Sequence, residues 1–342
     1  GWYQEIGWNV ERIPADGGRQ VLLITNHVSE HYDAMYIGHM DTVFPDGTAE
    51  KRPFRIEGEN YYGPGVGDMK NGDLAMFHIA ANLPETEKKC LNIAMVYNPD
   101  EEIGSIYSKE ITDRIGCKAD HIFVMESAGK NGTRHCFARK GSLTYDIEFQ
   151  GQAAHAGFMF EVENASAVLE MGHYIVELMN LADREKDTTV NVGVANGGTA
   201  RNVVADHAKI SVEMRFWDDS ERIRLKEYVN KITKGQPFVP GVKTTIAMQK
   251  ETPPFVKTEE AKKYIERVRK VAEEQGIPFE EKDRGGLSDA NHLSRCGNAI
   301  VMDGMGPHGA NDHSEKEYGY IGSVEPCVKL HLAILKDMLK KQ

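Results

Sequence analysis

Short apolar runs alternate with longer segments of helical periodicity in the first part of the chain. Four of the runs are almost continuously apolar, which is typical of strands buried on both faces of a parallel sheet. They are residues 21–25, 34–40, 91–98 and 121–126. Between them, residues 71–83 and, more weakly, residues 105–115 carry apolar side chains at the spacing of one helix face. This alternation of strands and helices predicts an α/β layered domain.

The pattern changes near residue 142, where apolar and polar positions begin to alternate. Such alternation is typical of antiparallel strands with one solvent-facing side. It covers residues 142–151, 189–198 and 207–217, with helical patterns over 163–182 and 219–233. The α/β pattern then resumes with a helix over 258–275, a strand over 298–303 and a helix over 323–340. We therefore predict one domain from residues 1–142 and 254–342, and an α+β domain inserted as residues 143–253.

Composition narrows the class of protein. A chain of 342 residues exceeds the usual size of a single hydrophobic core, which agrees with two domains. The net charge is -11 and no basic run is present, so nucleic acid is not an expected partner. No stretch approaches the ~20 apolar residues of a membrane-spanning helix.

The cysteines and the first residue bear on location. The five cysteines are widely spaced and form no CxxC pair, which predicts reduced thiols and a cytoplasmic protein. The chain opens on Gly1 rather than Met, in a segment that reads as the end of a helix running into a strand. We therefore expect the natural amino terminus to lie further upstream.

Histidines and carboxylates follow the predicted strands at the points where those strands end. His39 and Asp41 close one strand, Glu101 and Glu102 follow another, and Glu126 ends a third. In open α/β sheets, ligands bind outside the carboxyl ends of the strands. Each residue taken alone has a simpler interpretation, as a structural histidine or a solvated turn. Their coincidence at one rim predicts a binding site.

A glycine-rich stretch, YYGPGVGDMKNG at residues 61–72, surrounds the single acid Asp68. Glycine-rich turns often bind phosphates, but the Walker A pattern requires Lys after its second glycine, whereas Asp68 follows Gly67. The dinucleotide pattern G-x-G-x-x-G is also absent from this stretch. A carboxylate in the loop would repel a phosphate. The remaining interpretations are a simple tight turn or a loop that fixes the direction of Asp68.

A metal site agrees better with these residue types. Carboxylates and imidazoles together suit Zn²⁺ and similar ions. Asp41 lies two residues beyond His39, so on an extended backbone it can accept the second ring N–H and fix the tautomer of His39. One carboxylate can also bridge two ions ~3.5–4 Å apart, a geometry that tolerates little angular error. The rigid loop before Asp68 would supply that precision.

Six motifs occur in one order: GHMDTV, GPGVGDMKNG, NPDEEIGS, ESA, GQAAHAG and HSEKE. With them, essentially the whole chain resembles the M20 family of co-catalytic zinc peptidases, and within it the carboxypeptidase G-like glutamate carboxypeptidases. The resemblance implies a phosphorylase/hydrolase-like α/β catalytic domain with a mixed sheet flanked by helices. It also implies that the inserted α+β domain serves as a lid and dimerisation domain.

The resemblance implies two zinc ions per chain and a role for each residue near them. One ion would be held by His39, Asp68 and Glu126. The second would be held by Asp68, Glu102 and His313. His313 is preferred to His308 because only His313 stands in the family's H-S-x-x-E context. Glu101 would be the general base that takes a proton from the attacking water and passes it to the leaving nitrogen.

The inserted domain carries further residues that match family positions. The resemblance implies that His155 reaches the active site of a neighbouring subunit and stabilises the tetrahedral intermediate, so a homodimer is expected. Asn202 and Arg215 would bind the substrate, and the forked charge of Arg215 suits a carboxylate. The loop at residues 284–291 would line the pocket.

The expected reaction is cleavage of an amide or peptide bond next to a free carboxylate, by a carboxypeptidase or a dipeptidase. Deacylation of an N-acyl amino acid would use the same residues and stays open. Thr252 stands where glutamate-specific relatives carry Arg, so a requirement for C-terminal glutamate is also open. Two other classes remain as alternatives, a catalytically silent metal-binding protein and a phosphate-handling enzyme. The presence of Glu101 beside the ligands favours the hydrolase.

Overall fold

The protein is described here from a computed structural model that covers residues 1–341. Its strands are, in chain order, β1 (Asn9–Pro14), β2 (Gln20–Thr25), β3 (Tyr32–His39), β4 (Arg55–Glu57), β5 (Asn60–Tyr62), β6 (Ile93–Asn98), β7 (Ala119–Val124), β8 (Arg134–His135), β9 (Gly141–Gln150), β10 (Ala154–His155), β11 (Thr189–Gly197), β12 (Val203–Val204), β13 (His207–Phe216), β14 (Lys243–Thr252), β15 (Glu280–Glu281), β16 (Ile300–Met302), β17 (Gly309–Ala310) and β18 (Tyr318–Tyr320). Its α-helices are α1 (Trp2–Glu5), α2 (Thr48–Lys51), α3 (Asn71–Ala81), α4 (Glu85–Cys90), α5 (Lys109–Gly116), α6 (Ala167–Met179), α7 (Asp219–Lys234), α8 (Glu259–Glu274), α9 (Ala290–Leu293) and α10 (Val324–Met338).

The chain divides into two compact units. The first combines Gly1–Arg139 with the segment that begins at Val256, and the second is Lys140–Phe255. Among the described residues, no helix combines the length and the apolar content that a membrane span requires.

A six-stranded mixed sheet in the order β1-β2-β6-β3-β7-β16 forms the centre of the first unit. Strands β6, β3, β7 and β16 are parallel to one another, as the continuous apolar runs predict. The same prediction is wrong for β2, which is antiparallel to both of its neighbours. The short turn Asp16–Gly18 joins β1 to β2, and only an antiparallel pair can be joined by so short a link. The α/β class with a mixed sheet is confirmed.

Burial of the central strands explains their apolar runs. Every residue of β6 is buried, as are the last six residues of β3. Helices α3, α8 and α10 contribute residues to the same hydrophobic core. Because β3, β6 and β7 are parallel, their carboxyl ends meet at one edge of the sheet. The residues that follow these strands are therefore neighbours in space.

The second unit is built on an antiparallel sheet in the order β11-β13-β9-β14. Alternate residues of β13 are buried, namely Ala208, Ile210, Val212, Met214 and Phe216. The alternating pattern predicts this strand correctly, whereas the sequence pattern does not predict the polar strand β14. The two long helices begin at side-chain caps, since Ser166 Oγ accepts from Leu169 N at 3.2 Å and Asp218 Oδ1 accepts from Glu221 N at 3.0 Å.

Candidate metal centre

His39 ends strand β3 with its side chain buried and its two ring nitrogens in different surroundings. Nδ1 lies 3.1 Å from the backbone oxygen of Asp41 and donates its proton there. Nε2 lies 3.1 Å from Asp68 Oδ1 and 3.6 Å from Glu126 Oε1. The bond at Nδ1 fixes the ring so that Nε2 faces the carboxylates, as in metal-ligating histidines.

His313 makes an equivalent set of contacts on the other side of Asp68. Its Nε2 lies 3.0 Å from Asp68 Oδ2 and 3.2 Å from Glu102 Oε2. The two oxygens of Asp68 therefore face two different imidazoles, each of which has a further carboxylate beside it. His308, the other histidine of this segment, is buried and its Nδ1 bonds to the backbone oxygen of Ala128 at 2.9 Å.

The donor atoms form one cluster at the edge of the sheet. The donors of His39, Asp68 and Glu102 lie within 4.8 Å of one another, and so do those of His39, Glu101 and Glu126. A tetrahedral zinc ion with bonds of about 2.0–2.2 Å has ligand atoms roughly 3.3–3.5 Å apart. The N···O distances at His39 and His313, which run from 3.0 to 3.6 Å, bracket that spacing. The residues present therefore fit a metal cofactor.

The charges at the centre also favour a bound cation. Burial, together with the charge of Asp289, raises the pKa of Glu101 well above its usual range. Burial and the neighbouring Asp68 raise the pKa of Glu102 to about 7, and they raise the pKa of Glu126 as well. These shifts mean that the carboxylates lack positive charge around them.

The histidines supply part of the missing charge. Burial alone would lower the pKa of His39, but hydrogen bonds to Asp41, Asp68 and Glu126 outweigh it and raise that pKa well above its usual range. Burial alone would raise the pKa of Asp68, but His39 and His313 outweigh it and lower that pKa. A divalent cation would take the place of these protons.

Asp41 makes more hydrogen bonds than the sequence predicts. Its carboxylate lies 3.5 Å from His39 Nδ1, while the closer contact of that ring is to the Asp41 backbone oxygen. The Asp41 carboxylate oxygens accept from the backbone N–H of Glu101 at 3.1 Å and of Glu102 at 3.0 Å. Asp41 therefore ties the turn that carries both glutamates to the end of strand β3.

A buried polar network joins the residues on either side of that turn, and no local sequence pattern predicts it. Asn98 Nδ2 donates to Asp289 Oδ2 at 2.7 Å and to Ser105 Oγ at 2.8 Å, and Ser105 Oγ donates to Asp289 Oδ1 at 2.6 Å. His292 bonds to Asp289 at 2.9 Å and to Asp113 at 2.5 Å. Burial alone would lower the pKa of His292, but Asp113 and Asp289 outweigh it and raise that pKa to about 9.

The glycine-rich loop approaches other backbone segments closely. Gly65 has a φ of 73°, and a Cβ there would lie 2.3 Å from Thr42 Cγ2. A Cβ at Gly67 would lie 3.0 Å from the backbone oxygen of Tyr318. A side chain is excluded at Gly65 and would be crowded at Gly67, which explains the two glycines. The peptide bond between Asp68 and Met69 is cis.

The other predicted residues belong to the second unit. His155 is exposed on β10, and the backbone N–H of Ala156 donates to the backbone oxygen of Asn202 at 2.9 Å, so His155 and Asn202 are neighbours. Arg215 Nη2 pairs with Glu213 at 2.5 Å, while Nη1 is buried without a hydrogen-bond partner among the described residues.

Strand register places Thr252 near Arg215. Ser142 of β9 is the partner of Arg215 on one side and of Thr252 on the other. Residues directly opposite one another in antiparallel strands share a face of the sheet. Thr252, Ser142 and Arg215 therefore lie in one row on the same face.

Comparison with known proteins gives concordant matches. The model of peptidase family M20/M25/M40 matches residues 35–337. Carboxypeptidase G2 of Pseudomonas sp. (strain RS-16) is 25% identical over 332 residues, which are 96% of this chain and 76% of the relative.

Solved structures agree with the fold. Aminopeptidase PepT of Bacillus cereus has a TM-score of 0.77 at 22% identity, covering 99% of this chain and 91% of its own. The M20 family metallo-carboxypeptidase Sso-CP2 of Sulfolobus solfataricus has a TM-score of 0.73 at 16% identity, covering 98% of this chain and 91% of its own.

Proposed function

The chain belongs to peptidase family M20/M25/M40, a family of metallopeptidases, and from this premise we propose that it is a di-zinc hydrolase. Its substrate would be an amide or peptide bond next to a free carboxylate, as in a carboxypeptidase or dipeptidase. The observation that carries the proposal is the position of Asp68, whose two oxygens face His39 and His313 at 3.1 and 3.0 Å.

We assign one zinc ion to His39, Asp68 and Glu126, and the second to Asp68, Glu102 and His313. Bound zinc would lower the pKa of a water molecule toward neutrality and polarise the carbonyl of the substrate.

The chain's own residues would move the proton. Glu101 is the general base, which takes a proton from the attacking water and passes it to the leaving nitrogen. Asp41 supports this role because its carboxylate accepts from the backbone N–H of Glu101 and so holds the backbone from which that side chain extends. Asp289 belongs to the network that includes Asn98 and Ser105. Its negative charge favours the protonated form of Glu101 once that residue has taken the proton from water.

We propose that residues of the second unit bind the carboxylate of the substrate. The unpartnered Nη1 of Arg215 supports an anion ligand, since guanidinium binds carboxylates through two nitrogens. We propose that Asn202 donates to the same substrate, and that His155 stabilises the oxyanion in the partner subunit of a dimer. Thr252 lies in the row of Arg215 and carries no charge, so we expect a single carboxylate to suffice.

A turnover screen of zinc-loaded protein tests the function. We expect hydrolysis of dipeptides or longer peptides that end in a free carboxylate, and loss of activity with EDTA that returned zinc reverses. Amidating that carboxylate removes one partner of a charged pair, worth about 2 kcal/mol or more, so kcat/KM should fall by at least about 30-fold.

The panel should also contain N-acyl amino acids, because they present the same carboxylate beside an amide. Turnover of these compounds in preference to peptides would assign the chain as a deacylase. Hydrolysis that continues in the presence of EDTA would contradict the proposal. So would an equal kcat/KM for substrates with a free and with an amidated carboxylate.

We also propose that the protein is a homodimer formed through the second unit. Helix α6 exposes Leu169, Val176 and Met179 on one face, with 55%, 59% and 41% of their surfaces accessible. Strand β11 lies at the edge of its sheet, where a second chain could pair with it or pack beside it.

Sedimentation at micromolar concentration should therefore show a species of two 38.2 kDa chains. Val176→Lys should shift it to one chain, whereas Val28→Lys, at an exposed site in the first unit, should not. A single-chain species in the unaltered protein would overturn the dimer.

A further inference from the structure

Glu317 is a buried carboxylate next to the proposed metal centre that has no role assigned so far. It lies four residues beyond His313 and directly before strand β18, and only 1% of its surface is exposed. Its carboxylate accepts three backbone N–H groups from the glycine-rich loop. Oε2 accepts from Gly65 at 2.8 Å, and Oε1 accepts from Gly67 at 2.8 Å and from Asp68 at 3.0 Å.

The glycines of the loop make this arrangement possible. The positive φ of Gly65 and the absence of a Cβ at Gly67 let their N–H groups approach one carboxylate. A side chain at Gly65 would collide with Thr42, and one at Gly67 would crowd the backbone oxygen of Tyr318. Hydrogen bonds from backbone N–H to an ionised carboxylate are stronger than those between neutral groups. A buried carboxylate with three donors is also well compensated for its loss of water.

We propose that Glu317 is a positioning residue for Asp68. By holding the backbone from Gly65 to Asp68, it sets the direction in which the Asp68 carboxylate points between His39 and His313. Since Glu317 and His313 belong to one short segment, the same segment supplies a ligand and fixes the bridging carboxylate opposite it. This inference rests on the metal centre proposed above and concerns the affinity of that centre for zinc.

Replacement of Glu317 by glutamine removes the charge and keeps the volume. Glutamine has one oxygen, so its amide N–H groups must face either Gly65 N–H or the pair from Gly67 and Asp68. In both orientations an amide N–H of the glutamine faces a backbone N–H, so the loop loses at least one of its three hydrogen bonds to this side chain.

A matched control exists in the second unit. Glu170 is fully buried, and its two oxygens accept from the backbone N–H of Phe238 at 3.2 Å and of Val239 at 2.7 Å. Glu170→Gln therefore removes a similar charge from a similar backbone site that no proposed ligand shares.

Zinc titration of the metal-free variants by calorimetry is the test. Glu317→Gln is expected to bind zinc about 10–100-fold more weakly than the unaltered protein, the usual effect of removing a group that orients a ligand. Glu170→Gln should change the unfolding temperature by a similar amount and leave zinc affinity unchanged. Unchanged zinc affinity in Glu317→Gln would overturn the inference, as would an equal loss in both variants.

Hydrogen exchange provides a second measurement that does not depend on the variant folding. In the metal-free unaltered protein, the amides of Gly65, Gly67 and Asp68 should be protected, because their N–H groups are held by Glu317. Exchange of these amides at the rate of an open loop would also overturn the inference.

The outcomes separate this inference from the proposed function. Tight zinc binding without hydrolysis of any substrate would contradict the proposed function but not the proposed role of Glu317. Failure of the unaltered protein to bind zinc would remove the metal centre itself, and the role of Glu317 with it.

Discussion

Glu101→Ala is expected to lower kcat by about 10²–10⁴-fold while two zinc ions remain bound to each chain. The loss follows from removing the only group assigned to proton transfer. Retention of metal follows because none of the five assigned ligands is changed. Zinc content after gel filtration, measured with steady-state kinetics on the same sample, checks both parts of the prediction.

The neighbouring glutamate provides the control. Glu102→Ala removes a proposed ligand from the same turn, so it should lose zinc as well as activity. The comparison is informative because the Glu101 carboxylate also lies within 4.8 Å of donor atoms of His39 and Glu126. Distance alone therefore leaves Glu101 eligible as a ligand. If Glu101→Ala loses as much zinc as Glu102→Ala, or keeps full activity, its assignment as the base is wrong.

Asp68→Asn should weaken both zinc sites together. Asparagine keeps one oxygen but replaces the other with an NH₂ group, which cannot bind a cation, and it removes a negative charge from between the two positions. We expect zinc affinity to fall by more than the roughly 10–100-fold typical of a group outside the ligand set, and activity to fall with it. Calorimetric titration of the metal-free variant measures both sites.

Asp312→Asn is the matched control for this change. Asp312 lies beside His313, and the partial loss of water around its carboxylate, together with the charges of Asp68 and Glu126, raises its pKa to about 6. The variant therefore removes an acid from the same electrostatic surroundings without removing an assigned ligand. Two tightly bound ions in Asp68→Asn would contradict the bridging role of Asp68.

Much of the architecture could be predicted because strong local patterns determine it. The continuous apolar runs identify β3, β6 and β7, and the parallel arrangement of these strands brings their carboxyl ends to one edge. That inference gathers His39, Glu101, Glu102 and Glu126 before any coordinates are known. The alternating strand β13 and the capped helices α6 and α7 are likewise visible in a short window of sequence.

The features that could not be predicted depend on pairs far apart in the chain. Asn98 and Asp289 are separated by 191 residues, and no local pattern indicates that they share a hydrogen bond. Strands β17 and β18 are two and three residues long, too short to show a period. The carboxylate of Asp41 was assigned to His39 from spacing alone, whereas its contacts to Glu101 and Glu102 arise from the turn that follows another strand.

The position of His313 in the chain has a consequence for synthesis. Its contact with Asp68 spans 245 residues, because the whole second unit is encoded between the two. At roughly 5–20 residues per second, a ribosome needs about 12–50 s to travel that distance. Once Glu126 has been made, the nascent chain carries His39, Asp68, Glu102 and Glu126 without His313. A chain that stalls before its last segment would therefore carry four of the five proposed zinc ligands, with the set for the first ion complete and the histidine of the second ion missing.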